Sequence, residues 1–129
     1  MKPISEERQR TVYEWAYPEL KGKDWYLRWD DRRLDAAIPY DELHSRLVPV
    51  QPLYLGVGGQ PNYQWFFTEA VPKLVDQGIE VYFSSPTYLS QGYVLRLAQR
   101  PKSGKVLVRD DTRDVPDPIA ALAKYVEAI

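Results

Sequence analysis

The sequence predicts an α+β fold: a mainly antiparallel sheet of about four strands packed with three helices in a layered single domain. Three observations carry this. Helical periodicity stands near both ends of the chain and again in its middle. Three strand-like stretches follow one another between the middle and last helices. Only the turn segment "PKSG" separates the last two, which makes them an antiparallel hairpin.

In chain order, the first helix is expected from about Glu6 to Tyr17. Ser5 is its N-cap, and Glu6 and Glu7 sit at the positive end of the helix dipole. Val12, Trp15 and Ala16 share one face, and Pro18 ends the run. In "KDWYLRWDD", Trp25, Leu27 and Trp29 alternate with Tyr26 and Arg28, the period of a half-buried strand, and "DDRR" turns the chain. Residues 34–50 carry no clear period. "PYDELHSRL" is read as a short helix after Pro39, "VPVQP" as a break, and "LYLGV" as a short strand.

The middle helix opens at Asn62, an N-cap residue, with Tyr63, Phe67, Val71 and Leu74 on its inward face. Pro72 should kink it or split it at Val71, and Gly78 should stop it. The three strands alternate around Val81 and Phe83, around Tyr93, Leu95 and Leu97, and around Val106 and Val108. The last helix has Asp117 as N-cap, Pro118 at its first position and an apolar stripe of Ile119, Leu122 and Val126.

Composition narrows the function classes. The 129 residues suit one domain with a real core. A net charge of −1 supplies no positive field for a polyanion, so nucleic acid is not the expected partner. The chain has no cysteine, which excludes disulfides, thiolate nucleophiles and Cys-ligated zinc, and no cofactor or metal is expected. No apolar run approaches the roughly 20 residues of a membrane span. "MKPISEERQR" lacks the apolar core of a signal peptide, so the expected place is the cytoplasm. Ten Tyr and four Trp are enough for a core and for an interface, a homo-oligomeric one included.

Five features offer chemistry. Gly56, Gly58 and Gly59 precede a helix N-terminus, where free N–H groups favour an anion. With Asn62 they form the candidate ligand site, for a nucleotide in the second functional reading. The stretch matches neither phosphate-loop nor dinucleotide spacing, since Pro61 stands where the third glycine belongs, so a turn is its first reading. His44 is the only histidine, and one histidine without cysteine makes no zinc site unaided. Asp30–Asp31 and Asp110–Asp111 follow strand patterns, where Asp is a turn residue; they gain interest only if they converge. Arg96, Arg100, Lys102, Lys105, Arg109 and Arg113 make residues 93–113 a basic ribbon, the third reading being weak nucleic-acid binding there. Finally, the run "YQWFF" exceeds what one helix face needs. Trp65 and Phe66, with Tyr93, Arg96, Arg100 and Lys105, are the expected partner-binding surface.

The segments "PNYQWFFTEAVPKLVDQGIEVYF", "GYVLRLAQR" and "DPIAALAKYVEAI" resemble the phage ABA sandwich domain family of small phage and prophage proteins, mainly over residues 61–129. The likeness is one of layout: a P-x-Y opening to a helix, a helix ending before a strand, a short meander, and a last helix opened by Pro. "GKDWYLRWDD" stands where such proteins often carry an early Trp. The resemblance implies a phage-borne or prophage-borne accessory protein without established chemistry, and it carries over no catalytic residue. The leading expectation is therefore a non-enzymatic protein that binds a host macromolecule or a small ligand through aromatic surface.

Overall fold

A computed structural model describes residues 2–39, 45–56, 58–86, 92–99, 105–112 and 115–129. The fold is α+β. Strands β1 (Tyr26–Asp30), β2 (Arg33–Pro39) and β3 (Ser45–Pro49) form one antiparallel sheet in that order. β4 (Tyr54–Leu55) and β5 (Gln60–Pro61) form a two-stranded hairpin. β6 (Ile79–Ser84), β7 (Tyr93–Gln99) and β8 (Val106–Thr112) form a second antiparallel meander. The described strands are thus divided among three sheets, where a single sheet of about four was expected.

Helix α1 (Glu6–Ala16) begins as expected, the Ser5 hydroxyl accepting from the Arg8 N–H. Its last carbonyls, of Trp15 and Ala16, accept from the Lys73 ammonium, a cation at the negative end of the dipole. Helix α4 (Pro118–Ala128) is capped by Asp117, whose Oδ1 accepts from Ile119 and Ala120 at 2.9 and 3.1 Å. The two helices pack on each other through the edge-to-face pair Trp15–Tyr125 and the Arg8–Glu127 ion pair at 2.7 Å. α4 lies against β7 and β8, over the inward side chains Leu95, Leu97 and Val108.

The middle helix is one run in three pieces: α2 (Tyr63–Trp65), a π-helical turn (Phe66–Ala70) and α3 (Val71–Asp76). Pro72 explains the π turn. In a regular α-helix its ring would collide with the carbonyl four residues back, and widening the preceding turn relieves this. The Val71 N–H reaches back five residues to the Phe66 carbonyl. The expected break at Val71 is therefore present as a change of winding, and it alters which side chains face inward. Trp65, Phe66, Ala70 and Leu74 are buried, whereas Phe67 is exposed. Gly78, at φ 80°, ends the run where expected.

Residues 34–39 and 45–49 are strands, which corrects the irregular reading of this stretch. β2 shows why no period was visible: its five inner residues Leu34–Ile38 are all buried, so apolar and polar positions do not alternate. Residues 40–44, with His44 and most of the expected short helix, lie outside the described residues; its end, Ser45–Leu47, belongs to β3. β1 is a further correction. Trp25 is buried just before the strand, but Leu27 and Trp29, on the edge strand of the sheet, are exposed.

The β1–β2 turn is a two-residue connection with φ 50° at Asp31 and 72° at Arg32. Two positive φ values in succession are the signature of a type I′ turn, which suits Asn-Gly and strains a branched side chain. Replacing Asp31–Arg32 by Asn-Gly is expected to raise stability by about 1 kcal/mol in urea unfolding. A loss of stability would mean that the two charged side chains, not the turn conformation, hold the hairpin.

Buried residues from all three helical stretches and both larger sheets form one contiguous core. Tyrosine hydroxyls tie the irregular parts to it. Tyr13 donates to the Gln51 carbonyl (2.8 Å), Tyr63 to the Pro116 carbonyl (2.7 Å), and Tyr54 to Asp117 Oδ2 (2.6 Å). Tyr17 accepts from Trp65 Nε1 (3.2 Å), and Tyr125 donates to Gln77 (2.9 Å). Burial raises the pKa of all five, making each hydroxyl a weaker acid, Tyr54 also through its bond to the Asp117 carboxylate. A raised tyrosine pKa means that the folded state keeps its proton longer. That contribution is complete below the unfolded value of about 10 and is lost as pH rises toward the folded values. Lys73 has the opposite sign, since burial lowers its pKa. Stability should therefore fall steeply above about pH 10, with phenolate absorbance rising in the same step as unfolding. Ionisation of every tyrosine with the fold intact would contradict this.

Candidate functional site

The expected sites fare differently. Gly56 and Gly59 take φ 66° and 63° and form the tip of the β4–β5 hairpin, with the Gly59 N–H on the Gly56 carbonyl (3.4 Å). This is the turn reading, and it needs glycine for its positive φ values. A groove runs beside Gly56, Gly58 and Asn62, but no charged side chain lines it among the described residues. Asn62 works within the fold. Its Oδ1 accepts from the Trp65 N–H (3.1 Å), its Nδ2 donates to the Pro52 carbonyl (2.8 Å), and its own N–H donates to the Leu53 carbonyl (2.8 Å). It is a buried helix cap and a clasp on the preceding loop.

Trp65 and Phe66 must be removed from the partner surface. Both are fully buried, because the π turn places two successive residues on the inward side of the helix. Tyr93 remains half-buried at one end of an aromatic ladder whose steps are Tyr93–Phe83 (6.1 Å), Phe83–Phe67 (6.3 Å) and Phe67–Phe66 (5.3 Å), spacings that suit edge and tilted contacts. Arg96 lies on the outer face of the meander, its guanidinium 4.4 Å from the Tyr82 ring, and its Nε is buried without a hydrogen-bond partner. Beside it Arg109 pairs with Asp111 (2.9 Å). Lys105 is exposed ahead of β8; Arg100, Lys102 and Arg113 lie outside the described residues. The two acidic pairs stand in different sheets, and among the described residues no cluster of three or more acids or histidines could hold a metal.

No known family, curated protein or solved structure matches the chain. No helix among the described residues is long and apolar enough to cross a membrane.

The geometry favours a place that the sequence reading overlooked. β1 is an edge strand, and it exposes Tyr26 (48%), Leu27 (43%) and Trp29 (64%) in sequence. A cleft of about 320 Å³ separates its start from α1, lined by Glu6, Gln9, Arg10 and Tyr13 on one side and Trp25–Leu27 on the other. The cleft is built, not left over. Arg10 stacks on the Trp25 ring (4.0 Å) while its Nη1 donates to the Trp25 carbonyl (3.0 Å). Trp25 Nε1 donates to Glu14 (3.0 Å), and the Trp25 ring meets Tyr13 edge to face at 5.9 Å.

The direction of the β1 main chain follows from two bonds. Val50 donates to the Leu34 carbonyl (3.1 Å), so Leu34 turns its main-chain groups toward β3. Trp29 stands opposite Leu34 and is therefore in a non-hydrogen-bonded pair, with its N–H and C=O pointing away from β2. Leu27, two residues earlier, points the same way. The Arg10 bond to the Trp25 carbonyl agrees, since Trp25 has the same parity. The edge thus presents the main chains of Leu27 and Trp29 beside exposed apolar side chains. The opposite edge, β3, carries Pro49 at an outward position, where the missing N–H blunts pairing.

Proposed function

We propose that the protein is a non-enzymatic accessory protein, of the phage-associated type that its second half resembles, and that it holds a protein partner on the β1 edge and the adjoining α1 cleft. The observation that carries this is Trp29: a large ring, nearly two thirds exposed, in line with Tyr26 and Leu27 and outside the aromatic contacts seen among the described residues. Tryptophan and tyrosine dominate binding energy at protein interfaces because they bury much apolar area at little entropic cost. An exposed ring of this size is otherwise an unfavourable use of a surface position.

The test compares wild type with Trp29→Ala and Phe67→Ala, each captured from a lysate of the source cells and weighed by native mass spectrometry. Wild type and Phe67→Ala should carry a stoichiometric protein. Trp29→Ala should lose it, with affinity down by about thirtyfold or more. Its folding stability should stay within about 0.5 kcal/mol of wild type, as for a surface change. Retention of the partner by Trp29→Ala, or a bare wild-type chain, would sink the proposal.

A further inference from the structure

The geometry points to a specific mode of binding: we infer that the β1 edge takes up an extended peptide segment of the partner as an added strand, hydrogen-bonded to the main chains of Leu27 and Trp29. This rests on the reading of β1 as the partner surface and names what occupies it.

The hydrogen-bonding groups select the occupant. Leu27 and Trp29 each direct one N–H and one C=O away from β2, at the two-residue spacing that only another strand matches. A helix or a rigid folded face offers side chains, not an alternating row of main-chain donors and acceptors. Peptides that add a strand gain affinity from these bonds and specificity from alternate side chains. Here the alternate positions differ in character. Leu27 and Trp29 lie on the face that continues into the buried Leu34, Ala36 and Val48, so the peptide residues beside them should be apolar. Tyr26 and Arg28 lie on the other face, where a cationic peptide residue beside Arg28 would be repelled.

A second copy of this chain fits less well in each antiparallel register. Leu27 opposite Trp29 of a second copy sets Arg28 against Arg28 of that copy, a like-charge pair. Trp29 opposite its own counterpart brings Leu27 onto Asp31, which is in the turn at φ 50° and cannot continue a strand. Leu27 opposite its own counterpart needs the Trp25 carbonyl, which Arg10 already occupies. A foreign segment meets none of these obstacles.

The experiment selects binders from a displayed library of random linear peptides about nine residues long, enough for one strand. Selected peptides are then synthesised and N-methylated one residue at a time. Methylation should weaken binding about tenfold or more at alternate residues and leave the intervening ones near unchanged. By nuclear magnetic resonance, the Leu27 and Trp29 amide protons should exchange fast in the free protein and slowly in the complex. The Arg28 amide, bonded within the sheet, should be slow in both. Leu27→Pro, which removes only an outward N–H, should abolish binding, and Leu27→Ala should weaken it less. Because the methylation series alters the peptide, it holds whether or not Leu27→Pro folds.

Enrichment of no peptide overturns strand addition, as does binding indifferent to the methylated position. If a lysate partner still depends on Trp29 in either case, the partner docks a folded surface there and only the mode is wrong. If no partner depends on Trp29, the reading of the β1 surface fails with it.

Discussion

Trp65→Ala is expected to remove about 3–5 kcal/mol of folding stability, enough to unfold much of the population of an ordinary domain near its melting point. Trp65 is fully buried, and it is the largest fully buried side chain among the described residues. Its replacement empties the volume of an indole, which the surrounding buried core can refill only in part. It also strips the Tyr17 hydroxyl of the donor at 3.2 Å. Trp65→Phe keeps much of the volume but not the N–H, so it should cost about half as much. Urea unfolding of the two variants, read beside Trp29→Ala, separates core from surface: the Trp65 variants should shift the midpoint strongly, and Trp29→Ala hardly. Near-native stability of Trp65→Ala would mean that the π turn is absent in solution and that the helix presents Phe67 inward instead.

That last alternative is the sequence's own expectation, and the contrast shows what a linear reading can reach. Local grammar was legible. Ser5, Asn62 and Asp117 cap the helices they precede, Gly78 ends one, and β7 pairs with β8 across "PKSG". Each depends on a few neighbouring residues and on backbone hydrogen bonds they satisfy directly. What failed depended on tertiary context. The π turn moved the inward stripe from Tyr63, Phe67 and Val71 to Trp65, Phe66 and Ala70, although Pro72 had marked the place. β2 is buried along its whole inner length and so lacks alternation. The apolar side chains of β1 alternate as a buried strand would, yet they lie at an edge that nothing in the described chain covers. A strand that reads as half-buried and proves exposed is the one trace of the candidate site that the sequence carried. Recognising it required knowing which strand stands at the edge.

Asn62→Ala should be the second most damaging change, at about 2–4 kcal/mol, because it undoes a cap and a buried clasp together. Loss of an N-cap side chain alone costs about 1 kcal/mol. Here the Trp65 N–H loses its acceptor and the Pro52 carbonyl its donor, at a residue that is itself buried, and an unsatisfied buried group adds a further 1–3 kcal/mol. Asn62→Asp separates the two roles. Its carboxylate can still accept from Trp65 at the positive end of the helix, but it cannot donate to Pro52, and its charge is buried. If capping dominates, Asn62→Asp should recover most of the loss; if the clasp on residues 52–53 dominates, it should be as harmful as alanine. The second outcome is expected, since the segment held through the Pro52 carbonyl carries Tyr54, whose hydroxyl holds Asp117. Freeing residues 52–54 would therefore loosen the cap of α4, and with it the packing of α1 that walls the cleft at β1. Amide exchange should show this as faster opening at Ile119 and Ala120 in Asn62→Asp, two residues whose N–H groups bond Asp117 and not Asn62. Unchanged exchange there would confine Asn62 to its own helix.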